Sequence, residues 1–204
     1  MRLDDAFSFP YNMTLGAIED ESLVYKVGKR IGKHANRLGV HINFAPVVDI
    51  NTNPDNPIIG SRSFGEDKFN VTEKALAYLR GMQSTNLMGS AKHFPGHGDT
   101  QTDSHYTLPL ISFDKERIYD VELYPYKKLI ENNLSSVMTA HINVPSLQKG
   151  NLPSTLSDNI INNILKNDLS FNGLIVTDAL DMKGVVDFTK KEYADVSAMK
   201  VGND

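Results

Sequence analysis

Short β-branched runs that alternate with longer amphipathic runs constrain this chain more than any other feature. Ile18, Leu23, Val27, Ile31 and Leu38 recur at helical spacing and predict a helix over 17–38. The run VHINFAPVVDI then reads as a strand over 40–50, closed by the turn-forming NTNPDNP. A second helix is expected over 68–86, followed by the strand MGSAKHF, which enters the loop PGHGDTQTDSH. A third helix, over roughly 114–133, precedes the strand SSVMTAHI. A fourth covers about 157–168 with Ser157 at its N-cap, and the strand GLIVTDA comes after it.

Strands separated by helices imply βαβ crossovers and a parallel sheet. Such a sheet can close as a (β/α)8 barrel or stay open and doubly wound. The polar residues favour the barrel, because each strand ends in a group able to do chemistry: Asp49, then Lys92 and His93, then His141, then Asp178. Barrel enzymes collect their working residues at that C-terminal rim, whereas an open sheet concentrates them at one switch point. A full barrel takes about 250 residues, so the 204 here read as an incomplete one. The chain opens without a preceding strand and stops at KVGND inside a periodic segment, so it reads as cut at both ends.

Charge and composition exclude several function classes. The net charge is -4 and the 21 Lys and Arg are scattered, which argues against a nucleic acid partner. No stretch approaches the roughly 20 apolar residues of a membrane-spanning helix. The opening MRLDDAFSFP has no apolar core of a signal peptide, so the compartment is left open. Without cysteine, disulfides and thiolate metal sites are excluded. Neither a dinucleotide fingerprint nor a P-loop is present, and no cofactor is expected.

The segment AKHFPGHGDTQTDSHYTLP holds three of the six histidines. Asp103 and His105 lie two apart in a loop, where a carboxylate accepting the ring Nδ1–H of His105 would leave Nε2 to donate or accept a proton. The same Asp-Ser-His can instead be a capped turn with a solvated histidine. Asp178 can serve as a nucleophile at the rim or as the N-cap of the next helix, and Asp181 competes for either role. Arg62, in IIGSRSFGED, suits recognition of hydroxyls or carboxylates, or a surface ion pair with Glu66 or Asp67. Lys92 should meet a carboxylate or a ligand, since a buried ammonium is costly alone. His93, His97, Asp99, Asp103 and His105 are acceptable metal ligands by type, but no metal-binding spacing appears and Lys92 adds an opposing charge.

Taken together, NFAPVVDI, IIGSRSFGED, AKHFPGHGDTQTDSHYTLP, SVMTAHINVP and GLIVTDALDMKGV resemble glycoside hydrolase family 3, specifically its β-N-acetylglucosaminidase branch, in the family's order over most of 40–186. The opening MRLDDAFSFPYNMTLGAI is similar to bacterial members from the Bacteroidetes, some with a fused second domain. The resemblance implies that 1–204 is part of the family's catalytic barrel, without its first strand and last units. It also implies a retaining glycosidase that removes terminal β-linked N-acetylglucosamine, as from peptidoglycan fragments, in the bacterial cytoplasm or periplasm. On that reading Asp178 is the nucleophile, His105 the acid/base and Asp103 its orienting partner. Arg62, Lys92 and His93 bind sugar hydroxyls, His141 lines the site, and Asp181 keeps a structural or capping role. Phosphorolysis, a silent sugar-binding module and a metal-dependent hydrolase are the alternatives.

Overall fold

The computed structural model describes residues 8–102, 108–189 and 193–204. A short helix, α1 (Asn12–Gly16), precedes α2 (Glu21–Arg37). The expected helix over 17–38 therefore starts later, because Asp20 accepts the Ser22 N–H at 2.9 Å and caps α2. Its buried face is Val24, Gly28, Ile31, Gly32 and Ala35. Of the expected apolar pattern Ile31 is buried and Ile18 and Val27 pack against the core, whereas Leu23 and Leu38 are 43% and 55% exposed. Small residues complete the face, which packs against α3 (Lys68–Gln83). A Cβ on Gly28 would stand 2.2 Å from the Tyr78 carbonyl oxygen, and one on Gly81 would stand 2.2 Å from that of Tyr25. The two backbones touch where one partner at each contact is a glycine.

Four strands follow: β1 (Ile42–Asn43), β2 (Met88–Phe94), β3 (Ser136–Thr139) and β4 (Leu174–Thr177). All are parallel and lie in the order β1-β2-β3-β4. The strand expected over 40–50 is cut short because Pro46 has no N–H for the ladder. Beyond it the chain rejoins β2, with the Val48 N–H donating to the Lys92 carbonyl at 2.8 Å. Between β2 and β3 the register shifts from Ala91 to Phe94, which takes Lys92 and His93 out of that ladder. The Ala45–Pro46, Lys92–His93 and Phe94–Pro95 peptides are cis. At the far side of β4 the backbone of Asp204 donates to Ile175 at 2.9 Å, so 203–204 run on beside that strand.

Helical segments fill the connections. The third is α4 (Lys115–Arg117), a π-helix (Ile118–Glu122) and α5 (Leu123–Ile130), capped by Asp114 at the Arg117 N–H. The fourth is a π-helix (Asn159–Asp168), and Ser157 Oγ accepts the Ile160 N–H at 3.3 Å, as expected of its cap. Two short helices, α6 (Lys183–Val186) and α7 (Ala194–Lys200), close the chain. α2 packs on α3, and α3 on α5. Sequential strands whose crossover helices pack one on the next form an arc of a (β/α) barrel; a doubly wound sheet would reverse its strand order. Ala91, Phe94, Val137 and Ile175 of the strands and Leu79, Met82, Leu123, Tyr126, Ile161 and Leu165 of the helices form its core. Among the described residues no helix is long and apolar enough to cross a membrane.

Candidate active site

Polar side chains gather where the strands end. At the exit of the first crossover pairing lies Asp49, 1% exposed beneath the loop that follows β2. Its Oδ2 accepts from Nδ1 of His93 at 2.6 Å, and its Oδ1 accepts the backbone N–H of His97 at 2.7 Å. The His93 backbone N–H points at the same carboxylate, 3.2 Å away. Burial would raise the Asp49 pKa, but the His93 ring, its hydrogen bond and His97 hold the carboxyl below its usual range. His97 is also buried, with Nδ1 2.6 Å from Thr100 Oγ1, and burial pushes its pKa down to about 4. The His93 and His97 rings meet edge to face.

Arg62 reaches this group from the loop after β1. Asn56 fixes that loop: its Oδ1 accepts the N–H groups of Ile58 and Ile59, and its Nδ2 donates to the His97 carbonyl at 2.8 Å. Arg62 Nη1 donates to the Ile58 carbonyl at 3.2 Å, and Nη2 lies 3.1 Å from Nε2 of His93. Arg62 therefore faces the site, and among the described residues no ion pair joins it to Glu66 or Asp67. Gly98 makes the crossing of the two loops possible, since a Cβ there would lie 1.8 Å from the Ile50 carbonyl oxygen. Beneath the same loop, buried Glu122 takes two contacts of 2.7 Å from Arg117.

Lys92 is half-buried within electrostatic reach of Arg62, Asp178 and Asp49. Burial and then Arg62 lower its pKa, while the two carboxylates pull the other way. Asp178 stands one residue past β4, half-buried, with Oδ1 accepting the Ala179 N–H at 2.9 Å. It does not cap α6, which starts at Lys183 after Met182 and has no side-chain cap. Asp181, exposed, does not cap that helix either, which excludes the capping half of the structural or capping role expected of it. His141 is 1% exposed, with Nδ1 2.9 Å from Thr155 Oγ1 and Nε2 3.0 Å from the Ala179 carbonyl oxygen. A carbonyl only accepts, so Nε2 carries the proton and ties His141 to the backbone next to Asp178.

Asp103 and His105 lie outside the described residues. The preceding segment is anchored by Thr52, which donates to Asp99 at 3.0 Å, and by Thr100, which donates to the His97 carbonyl at 3.0 Å. Among the described residues no three His, Asp or Glu side chains are grouped to hold a metal ion. Asp49 reads from the sequence as a strand-end group with no role assigned to it; the structure makes it the partner of His93 and His97. The signal for that role is a carboxylate directly after the buried Val47-Val48 pair.

The whole chain, 1–204, matches the model of the glycosyl hydrolase family 3 N-terminal domain. The chain belongs to glycosyl hydrolase family 3. Within the family it is 38% identical to a β-hexosaminidase A of Pseudoalteromonas piscicida, over 98% of this chain and 36% of that protein. A family 3 β-N-acetylglucosaminidase of Paenibacillus sp. str. FPU-7 superposes with a TM-score of 0.96 at 39% identity, covering all of this chain and 39% of the other. The β-glucoside phosphorylase BglX, solved with 2FGlc bound, gives a TM-score of 0.94 at 29% identity, over 98% of this chain and 37% of that one. The family 3 chain thus spans little more than a third of the length of these relatives.

Proposed function

We propose that this chain carries the reacting groups of a retaining glycosidase that hydrolyses terminal β-linked N-acetylglucosamine. The observation that supports it most is Asp178: a carboxylate just past a barrel strand, not used as a helix cap, within reach of the Lys92 ammonium. In the first step an Asp178 oxygen attacks the anomeric carbon as the bond to the leaving oxygen breaks, and that oxygen takes the proton of His105. The product is a glycosyl ester on Asp178. Water then attacks the same carbon, His105 takes its proton, and Asp178 leaves as a carboxylate. Asp103 holds the His105 ring. Arg62 and Lys92 hold sugar hydroxyls, with His93 and His141 lining the site behind them. The names of the β-hexosaminidase A and β-N-acetylglucosaminidase relatives support the sugar. Peptidoglycan fragments are the proposed source of it.

A second reading is phosphorolysis, favoured by the likeness to a β-glucoside phosphorylase. Phosphate would then replace water in the second step and leave as a sugar phosphate. The full-length protein should be assayed on an aryl β-N-acetylglucosaminide with and without phosphate and EDTA. Free N-acetylglucosamine that is insensitive to EDTA is the expected product, and it should vanish in Asp178→Asn. A sugar phosphate would favour the phosphorylase, and loss of turnover in EDTA would favour a metal enzyme. Full activity in Asp178→Asn would remove the nucleophile from the account.

A further inference from the structure

We propose that Asp49 is a positioning residue that sets the tautomer of His93 and thereby aims the Arg62 guanidinium into the site, an inference that rests on the reading of this site as a sugar-binding one. A carboxylate only accepts, so the 2.6 Å contact between Asp49 Oδ2 and Nδ1 places a proton on Nδ1. A guanidinium only donates, so the 3.1 Å contact between Arg62 Nη2 and Nε2 requires a lone pair there. The two contacts are compatible with one ring state, the Nδ1–H tautomer, and Asp49 enforces it. Three N–H donors converge on this carboxylate: the His93 ring, the His93 backbone and the His97 backbone. Asp49 therefore cannot rotate without breaking several bonds.

Arg62 needs such an acceptor. It sits beside Lys92, and each of the two cations repels the other. A guanidinium on an exposed loop would swing away. Here Nη1 is held by the Ile58 carbonyl and Nη2 by His93, which leaves the remaining N–H donors for a ligand. His93 works as a turned acceptor between a buried anion and a cation at the surface of the site.

Asp49→Asn tests the assignment. An amide has one oxygen for three donors, so its nitrogen must face one of them. Relief comes if His93 switches to the Nε2–H tautomer, which sets an N–H against Arg62. The full-length enzyme labelled with 15N-histidine should show the Nδ1–H tautomer for His93, identified by loss of its signals in His93→Gln. The Asp49→Asn protein should show the Nε2–H form. On an aryl β-N-acetylglucosaminide, Asp49→Asn should lower kcat/KM by about 10- to 100-fold, chiefly through KM. Arg62→Ala should lower it similarly, and the double variant should lose little more than either. An Nε2–H tautomer in the wild-type enzyme overturns the proposal, as do losses that multiply in the double variant. If Asp49→Asn does not fold, the wild-type tautomer still decides. If wild-type enzyme leaves the glycoside untouched, the functional reading fails while the histidine spectrum still tests the relay.

Discussion

Acid should weaken this protein through His97 in a way that can be isolated. Burial lowers the pKa of its ring from 6.5 to about 4, with Asp49 pulling upward and His93 and Arg62 adding to the depression. In the unfolded chain the same ring takes up a proton near 6.5. Between these values the unfolded state binds a proton that the folded state refuses, so stability rises with pH there. The contribution is fully present above 6.5 and is lost as pH falls toward 4. Its size is about 3 kcal/mol, at about 1.4 kcal/mol per pH unit. The comparison variant is His97→Asn, whose amide can still meet Thr100 where Nδ1 does now, 2.6 Å away. Urea unfolding of the full-length protein and the variant should be followed at several values between pH 7 and 4. The variant starts less stable at neutral pH because it has lost a buried ring. Over that range the wild type should lose about 3 kcal/mol more than the variant does. Carboxylates elsewhere titrate in both proteins and cancel. Equal losses in the two would show that His97 is protonated in the folded protein, and the linkage argument would collapse.

Three further outcomes are expected. Gly28→Ala should cost about 2–4 kcal/mol in urea unfolding, because the added Cβ would lie 2.2 Å from the Tyr78 carbonyl oxygen; a change within 0.5 kcal/mol or so would mean the helices part easily. Tyr126→Phe should leave stability unchanged or raise it by about 1 kcal/mol, since the buried phenol has no hydrogen-bond partner among the described residues. Lys92→Met should lower kcat/KM on the aryl glycoside by about 100-fold or more by removing the cation near Asp178, and unchanged kinetics would take Lys92 out of the site.

How much of this was legible in the sequence differs by element. β2 matches MGSAKHF residue for residue, because a buried parallel strand is a continuous run with turn residues on either side. The run at 40–50 misled, since its β-branched composition hides what Pro46 does to the ladder. The face of α2 was legible in part: Ile31 is buried on it, but Gly28, Gly32 and Ala35 share it, and counting large apolar residues gave weight to exposed Leu23 and Leu38. Lys92, His93, His141 and Asp178 were recognisable as strand-end residues. Their pairings were not, because the Asp49–His93–Arg62 line joins the end of β2 to two loops that only the folded barrel brings together. The tie from His141 to the Ala179 carbonyl is likewise a product of neighbouring strands.

The most direct measurement of the central claim is to catch the sugar on the enzyme. The full-length protein should be quenched during reaction with a 2-fluoro analogue of an aryl β-glycoside, which slows the second step more than turnover can clear, and its peptides weighed. One glycosyl group on the peptide bearing Asp178, absent from Asp178→Asn, is the predicted result. Continued turnover without any adduct, or an adduct on Asp181 instead, would contradict the account.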